Sequence, residues 1–144
     1  KFTDQNKEVN LDDSNGRAIW ALGYVISLNG QIAAEIISEA CAMFDKSMLH
    51  ISTMHSPRAM AFAVKGLYHY HSTLPSFEKL ILAKTLADRL VQMYKHESGD
   101  TWKWFESYLT YANSVLPEAM LLVWLLTNDT SYKDIALTSF KFLL

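Results

Sequence analysis

The chain has 144 residues, half of them hydrophobic and 12% aromatic, with a formal net charge of −2. That is enough apolar material for one domain with its own core and too much for a disordered chain. The charge balance gives no basic footprint for a nucleic acid, the longest apolar runs, such as MLLVWLL at 120–126, are far too short to span a bilayer, and Cys41, the single cysteine, excludes an internal disulfide.

Residues 1–10 are polar and read as a connector, which leaves 11–144 as a single domain. The chain starts at Lys1 rather than Met; no signal peptide is visible, and a cytoplasmic setting is expected. From there the apolar residues recur with helical period. A helix from Gly16 to Leu28 is apolar nearly all round and is stopped by Asn29-Gly30. A second, Gln31 to Leu49, has two faces: Ile32, Ile36, Ile37, Ala40, Met43 and Phe44 on the apolar side, Glu35, Glu39, Asp45 and Lys46 toward water. Cys41 lies in the apolar run EACAMF and is expected as a buried structural thiol. Ser56-Pro57 opens a third helix, PRAMAFAVKGLYHYH, because Ser caps and Pro is tolerated at the first helical position. Ser76 caps a fourth, amphipathic helix, FEKLILAKTLADRLVQMYKHE. After a break at Ser98-Gly99-Asp100 comes TWKWFESYLTYANSV, then a mostly apolar helix from Pro117, a turn at Asn128–Ser131 and a last helix from Tyr132 to Leu144. No stretch alternates as a strand does, so the fold class is all-α.

An apolar helix alternates with a two-faced one three times. The apolar members begin alike, NGRAIWALG, SPRAMAFAV and LPEAMLLVW, with the first two starts 41 residues apart and the third 60 further on. Repeated helical hairpins of this length point to a solenoid or a partial α/α toroid of six or seven helices, in which the apolar helices are sandwiched and the two-faced ones cover them. The N-terminal ends of the sandwiched helices then share one rim, carrying Asp12, Asp13, Arg17, Arg58 and Glu118. The extra length of the third repeat is the aromatic segment at 101–114, a long connection of the kind that carries function.

The candidate residues have functional and structural readings side by side. Asp12 and Asp13 could hold sugar hydroxyls or, for Asp13, act as acid or base; alternatively they cap the first helix and complement its dipole. Glu106, between two Trp and two Tyr, could be a general acid with its pKa raised by burial among rings, a sugar contact, or a partner locking Arg17 or Arg58. Hydrolysis would need a second carboxylate, with Asp12, Asp13, Asp100 and Glu118 as candidates. Trp104, Tyr108 and Tyr111 share one side of a helical stretch, which suits packing, while Trp102 is expected to be exposed. Asn113 either contacts ligand or caps the following helix. Trp20, Phe62 and Trp124 are expected in the core. His69 and His71, two apart, point about 200° from one another on a helix and cannot share a metal. No metal and no cofactor is expected.

DDSNGRAIWALGYVIS, SPRAMAFAVKGLYHYH and DTWKWFESYLTYANSVLPEAMLLVWLL resemble the helical region of many bacterial glycosyltransferase-related proteins, which is similar to the six-hairpin toroid of glycoside hydrolases, epimerases and lyases. The likeness covers roughly residues 11–142, and its most specific block is W-x-W-F-E-x-x-L-x-Y-x-N-x-x-L-P-E-A. It implies a carbohydrate ligand on the rim, bound by Asp12, Arg17, Arg58, Trp102, Trp104, Tyr108, Asn113 and Glu118, with Glu106 and Asp13 as the catalytic pair if there is chemistry. It also implies an α/β glycosyltransferase domain as partner, since this chain has no Gly-rich phosphate loop of its own. Six or seven helices make half of a six-hairpin ring, so self-association that covers the apolar end faces is expected. The alternatives are a hydrolase- or epimerase-like toroid fragment and a non-enzymatic TPR-like interaction scaffold.

Overall fold

The computed structural model describes residues 11–144, and the connector expected at 1–10 lies outside them. The described residues form six helices: α1 (Asp12–Ser27), α2 (Ala34–Ile51), α3 (Pro57–Thr73), α4 (Phe77–Glu97), α5 (Val115–Thr127) and α6 (Thr130–Phe142). No strand occurs among the described residues. The expected caps form at α3 and α4, where the Ser56 and Ser76 hydroxyls accept the Ala59 and Lys79 amides. Asp129 caps α6 through the Ser131 amide. Gly30, at φ 82°, supplies the left-handed turn after α1, and Asn128, at φ 57°, does the same after α5. Four starts differ from expectation. The first helix begins at Asp12 rather than Gly16, α2 at Ala34 rather than Gln31 and α6 at Thr130 rather than Tyr132, and α5 begins at Val115, so Pro117 sits inside its first turn, where a missing N–H leaves no bond unmade.

The helices α1, α3 and α5 lie side by side and run parallel. Gly16 faces Ala59 and Gly23 faces Gly66, and further on Arg58 reaches Asn113 while Lys65 reaches Glu118, so residue numbers rise together across each contact. The α1–α3 approach is backbone against backbone. A Cβ at Gly16 would lie 2.6 Å from the Ala59 carbonyl oxygen, and one at Gly66 would overlap that of Ile19. Across this inner row, α2 packs on α1, α4 on α3 and α5, and α6 on α5. The core fills the space between rows. Phe44, Ile51, Met60, Leu67, Leu86 and Leu90 are fully buried there, each contributing about 1.5–3 kcal/mol. Arg89 ties the rows at one corner, its Nη2 donating to the Met54 carbonyl at 2.5 Å.

Among the described residues only α3 is sandwiched, with every residue from Arg58 to Leu67 buried. The other apolar helices have one bare flank. Ala18, Ala21 and Tyr24 on α1 and Leu125 on α5 are exposed, as are Ile36 and Met43 on α2, which the two-faced pattern assigns to the core. The pattern reports hydrophobicity; burial also needs a neighbour, and α2 packs mainly on α1, with Phe44 turned toward Tyr70 of α3 and Asp45 paired with Lys79 of α4, so Ile36 and Met43 face away from them. Trp20 and Trp124 are accordingly half-buried, whereas Phe62 is in the core. Cys41 is half-buried, its thiol pushed above the ordinary value by desolvation and then by the Asp45 carboxylate, which keeps it protonated. No described helix is long and apolar enough to cross a membrane.

Candidate functional site

Because α1, α3 and α5 are parallel, their N-terminal ends meet at one rim of the molecule. Between α4 and α5 the chain covers that rim with residues 98–114, which form neither helix nor strand. This decides the fate of the aromatic rings. Without a helix there, Trp104, Tyr108 and Tyr111 do not share a side: Trp104 is fully buried, while Tyr108 and Tyr111 are 58% and 52% exposed. Trp102, expected to be exposed, is half-buried, with its edge on Phe142 and its Nε1 donating to the Glu106 carbonyl at 2.7 Å. Trp104 stacks near Phe142 and meets Phe105 edge-on, and its Nε1 has no hydrogen-bond partner among the described residues. Full burial takes Trp104 out of direct contact with any ligand at the surface.

Arg58 organises the segment. Its side chain is 5% exposed, and its guanidinium donates to three groups of the segment at once: Glu106 Oε2 at 2.6 Å, the Tyr111 carbonyl at 2.6 Å and Asn113 Oδ1 at 2.9 Å. A buried guanidinium without a carboxylate would be prohibitive, so the pair and its satellite acceptors form as a unit. Asn113 also accepts from the Thr110 amide and donates to the Thr110 carbonyl. Between Tyr111 and Asn113, Ala112 is held at φ 48°, a left-handed conformation that is rare without glycine and that the bonds on either side impose. Of the readings open for Glu106, the partner of Arg58 is the one the geometry contains, rather than an unpaired carboxylate among rings: a charge on this deeply covered helix end needs an opposite charge.

The first helix joins the rim through its two aspartates, neither of which caps it. Asp12 Oδ2 accepts the His55 and Ser56 amides at 2.8 and 3.3 Å, tying the start of α1 to that of α3. Asp13 accepts from Arg17 Nε at 2.8 Å and from the Tyr111 hydroxyl at 2.9 Å. Arg17 lies over the Phe62 ring, 4.3 Å from its centre. Partial desolvation and then the Asp13 bond hold the Tyr111 hydroxyl above its usual pKa, so it is a donor at neutral pH. Glu118, in the first turn of α5, joins neither set. It pairs at 2.8 Å with Lys65, whose ammonium also sits 3.8 Å from the centre of the Trp20 ring. Asp100 is exposed at the start of the segment.

Beside the Arg58–Glu106 pair the segment walls an open cleft of about 330 Å³, lined by Pro57, Met93, His96, Glu97, Phe105, Glu106, Ser107 and Tyr108. Apolar walls, one exposed phenol ring and two carboxylates converge there. Of the expected site residues, Glu106 and Tyr108 reach this cleft; Asp12, Asp13, Arg17, Arg58 and Asn113 form the hydrogen-bonded rim behind it; Trp102 and Trp104 pack beneath the segment. Sequence reasoning missed Glu97, His96 and Lys65. A signal existed for two of them. Glu97 places an anion at the negative end of the α4 dipole, against local preference. Lys65 follows Arg58 by seven residues, on the same face of an otherwise apolar helix. Among the described residues no group of three or more His, Cys, Asp and Glu is placed to hold a metal ion. Comparison with protein families, with curated proteins and with solved structures finds no match to the chain.

Proposed function

We propose that the chain is a carbohydrate-binding helical-hairpin domain, of the kind that works beside a glycosyltransferase domain, and that the sugar is taken into the cleft between the end of α4 and residues 105–108. The supporting observation is the pairing of the exposed Tyr108 ring with Glu97 and Glu106 across apolar walls in one cleft. Sugar rings offer an apolar C–H face to an aromatic ring and hydroxyl donors to carboxylates. Arg58 fixes Glu106 in place before any ligand arrives, which lowers the ordering cost of binding.

Binding is favoured over hydrolysis or epimerisation. Both oxygens of Asp13 and Oε2 of Glu106 already accept from neighbouring side chains, so proton transfer by Asp13, or through Oε2 of Glu106, would break the rim. Trp102 and Trp104 lie against the segment and serve as reporters. Titration of the protein with a panel of mono- and oligosaccharides is expected to give a saturable change in tryptophan fluorescence, weakened about tenfold by Tyr108→Ala, which is about 1.4 kcal/mol. The absence of any change, in protein shown to be folded by circular dichroism, would overturn the sugar reading.

A further inference from the structure

Among the described residues nothing covers the two ends of the inner row, and the ends differ. At the α1 end a groove of about 320 Å³ runs between α1 and α2, lined by Ala18, Leu22, Met43, Lys46, Ser47 and His50. At the α5 end a groove of about 210 Å³ runs between α5 and α6, lined by Ser114, Pro117, Glu118, Leu121, Leu137 and Phe140. The ionisable side chains in the first are Lys46 and His50, and the one in the second is Glu118, half exposed beside its Lys65 partner. Ala18 and the neighbouring exposed Ala21 share the α1 end with the larger Tyr24 and Met43; Leu125, Leu137 and Phe140 project from the other. The charged groups of the two grooves are thus opposite in sign, Lys46 at one end and Glu118 at the other, and both ends offer apolar surface to a neighbour.

The chain also shows how such ends join. Already α1 takes α3, and α3 takes α5, as a parallel neighbour with N-termini on the same rim. A second copy whose α1 lay along the bare flank of α5 would repeat that step, with its α2 against α6. We infer that this face receives a second copy of the chain: the α5/α6 end of one copy docks on the α1/α2 end of the next, head to tail. The contact is heterologous, so it propagates until the array closes.

The experiment measures mass by light scattering across a concentration series for the wild-type chain, for Met43→Glu at one end and for Leu137→Glu at the other. The wild type is expected to exceed its monomer mass of 16.4 kDa as concentration rises. Each variant keeps one intact end of opposite kind, so each alone stays monomeric, and an equimolar mixture forms a one-to-one dimer. Should either variant lose its helical circular dichroism, Ala18→Lys and Phe140→Ser replace the pair. A wild type that remains monomeric at millimolar concentration overturns the inference. So does association that survives either substitution, or a mixture that stays monomeric.

Discussion

Arg58→Met tests the organisation of the rim directly. The substitution keeps an unbranched side chain of similar reach in a helix that packs on both flanks, and removes the guanidinium. Glu106, whose side chain is 11% exposed, would keep its charge in a covered site with no counter-charge, and the Tyr111 carbonyl and Asn113 Oδ1 would each lose a donor. Removing one partner of a buried pair costs about 3–5 kcal/mol. Native stability is about 5–15 kcal/mol, so the loss would be a large share of the whole. For a chain of this length it corresponds to a fall in Tm of about 10–15 °C. Urea unfolding followed by circular dichroism measures the cost. The double variant Arg58→Met/Glu106→Gln removes the orphaned charge and should recover about 1–3 kcal/mol relative to the sum of the single changes. A cost for Arg58→Met below about 1 kcal/mol, the value of a surface pair, would refute the claim that Arg58 holds the segment.

Gly66→Ala is expected to destabilise by about 1–3 kcal/mol, because its Cβ would overlap the Ile19 carbonyl and force α1 from α3; an unchanged urea midpoint would refute the backbone-to-backbone contact. His69 meets Tyr24 edge-on, and burial first, then the Lys65 ammonium, lower its pKa from the ordinary 6.5 against an opposing pull from Glu118. The folded state therefore favours neutral His69, the unfolded chain binds the proton more readily, and stability contributed at neutral pH is lost as pH falls below 6.5. The difference in unfolding free energy between the wild type and His69→Gln, followed from pH 7 downward, should shrink with acid, and a difference independent of pH would refute the assignment.

Helical periodicity and capping residues placed the helices in the sequence, because hydrogen bonding and capping are local: Ser56, Ser76 and Pro57 act within a single turn. The alternation of apolar and two-faced helices carried the row order, and the similar starts of three helices carried the shared rim. The sequence offered Glu106 either Arg17 or Arg58 as a partner and could not choose between them. Arg58 finds its partners 48 to 55 residues away, through a segment whose backbone has no period at all. That absence of period misled the placement of the rings: Trp104 and Tyr111 occupy one side only if 101–114 is helical, and the pull of Arg58 on Glu106, Tyr111 and Asn113 bends it instead. Burial likewise depended on neighbours. Ile36 and Met43 carry the same apolar signal as Phe44, yet only Phe44 has a helix to face, because helix propensity and hydrophobicity belong to the residue while desolvation belongs to the pair of surfaces that meet.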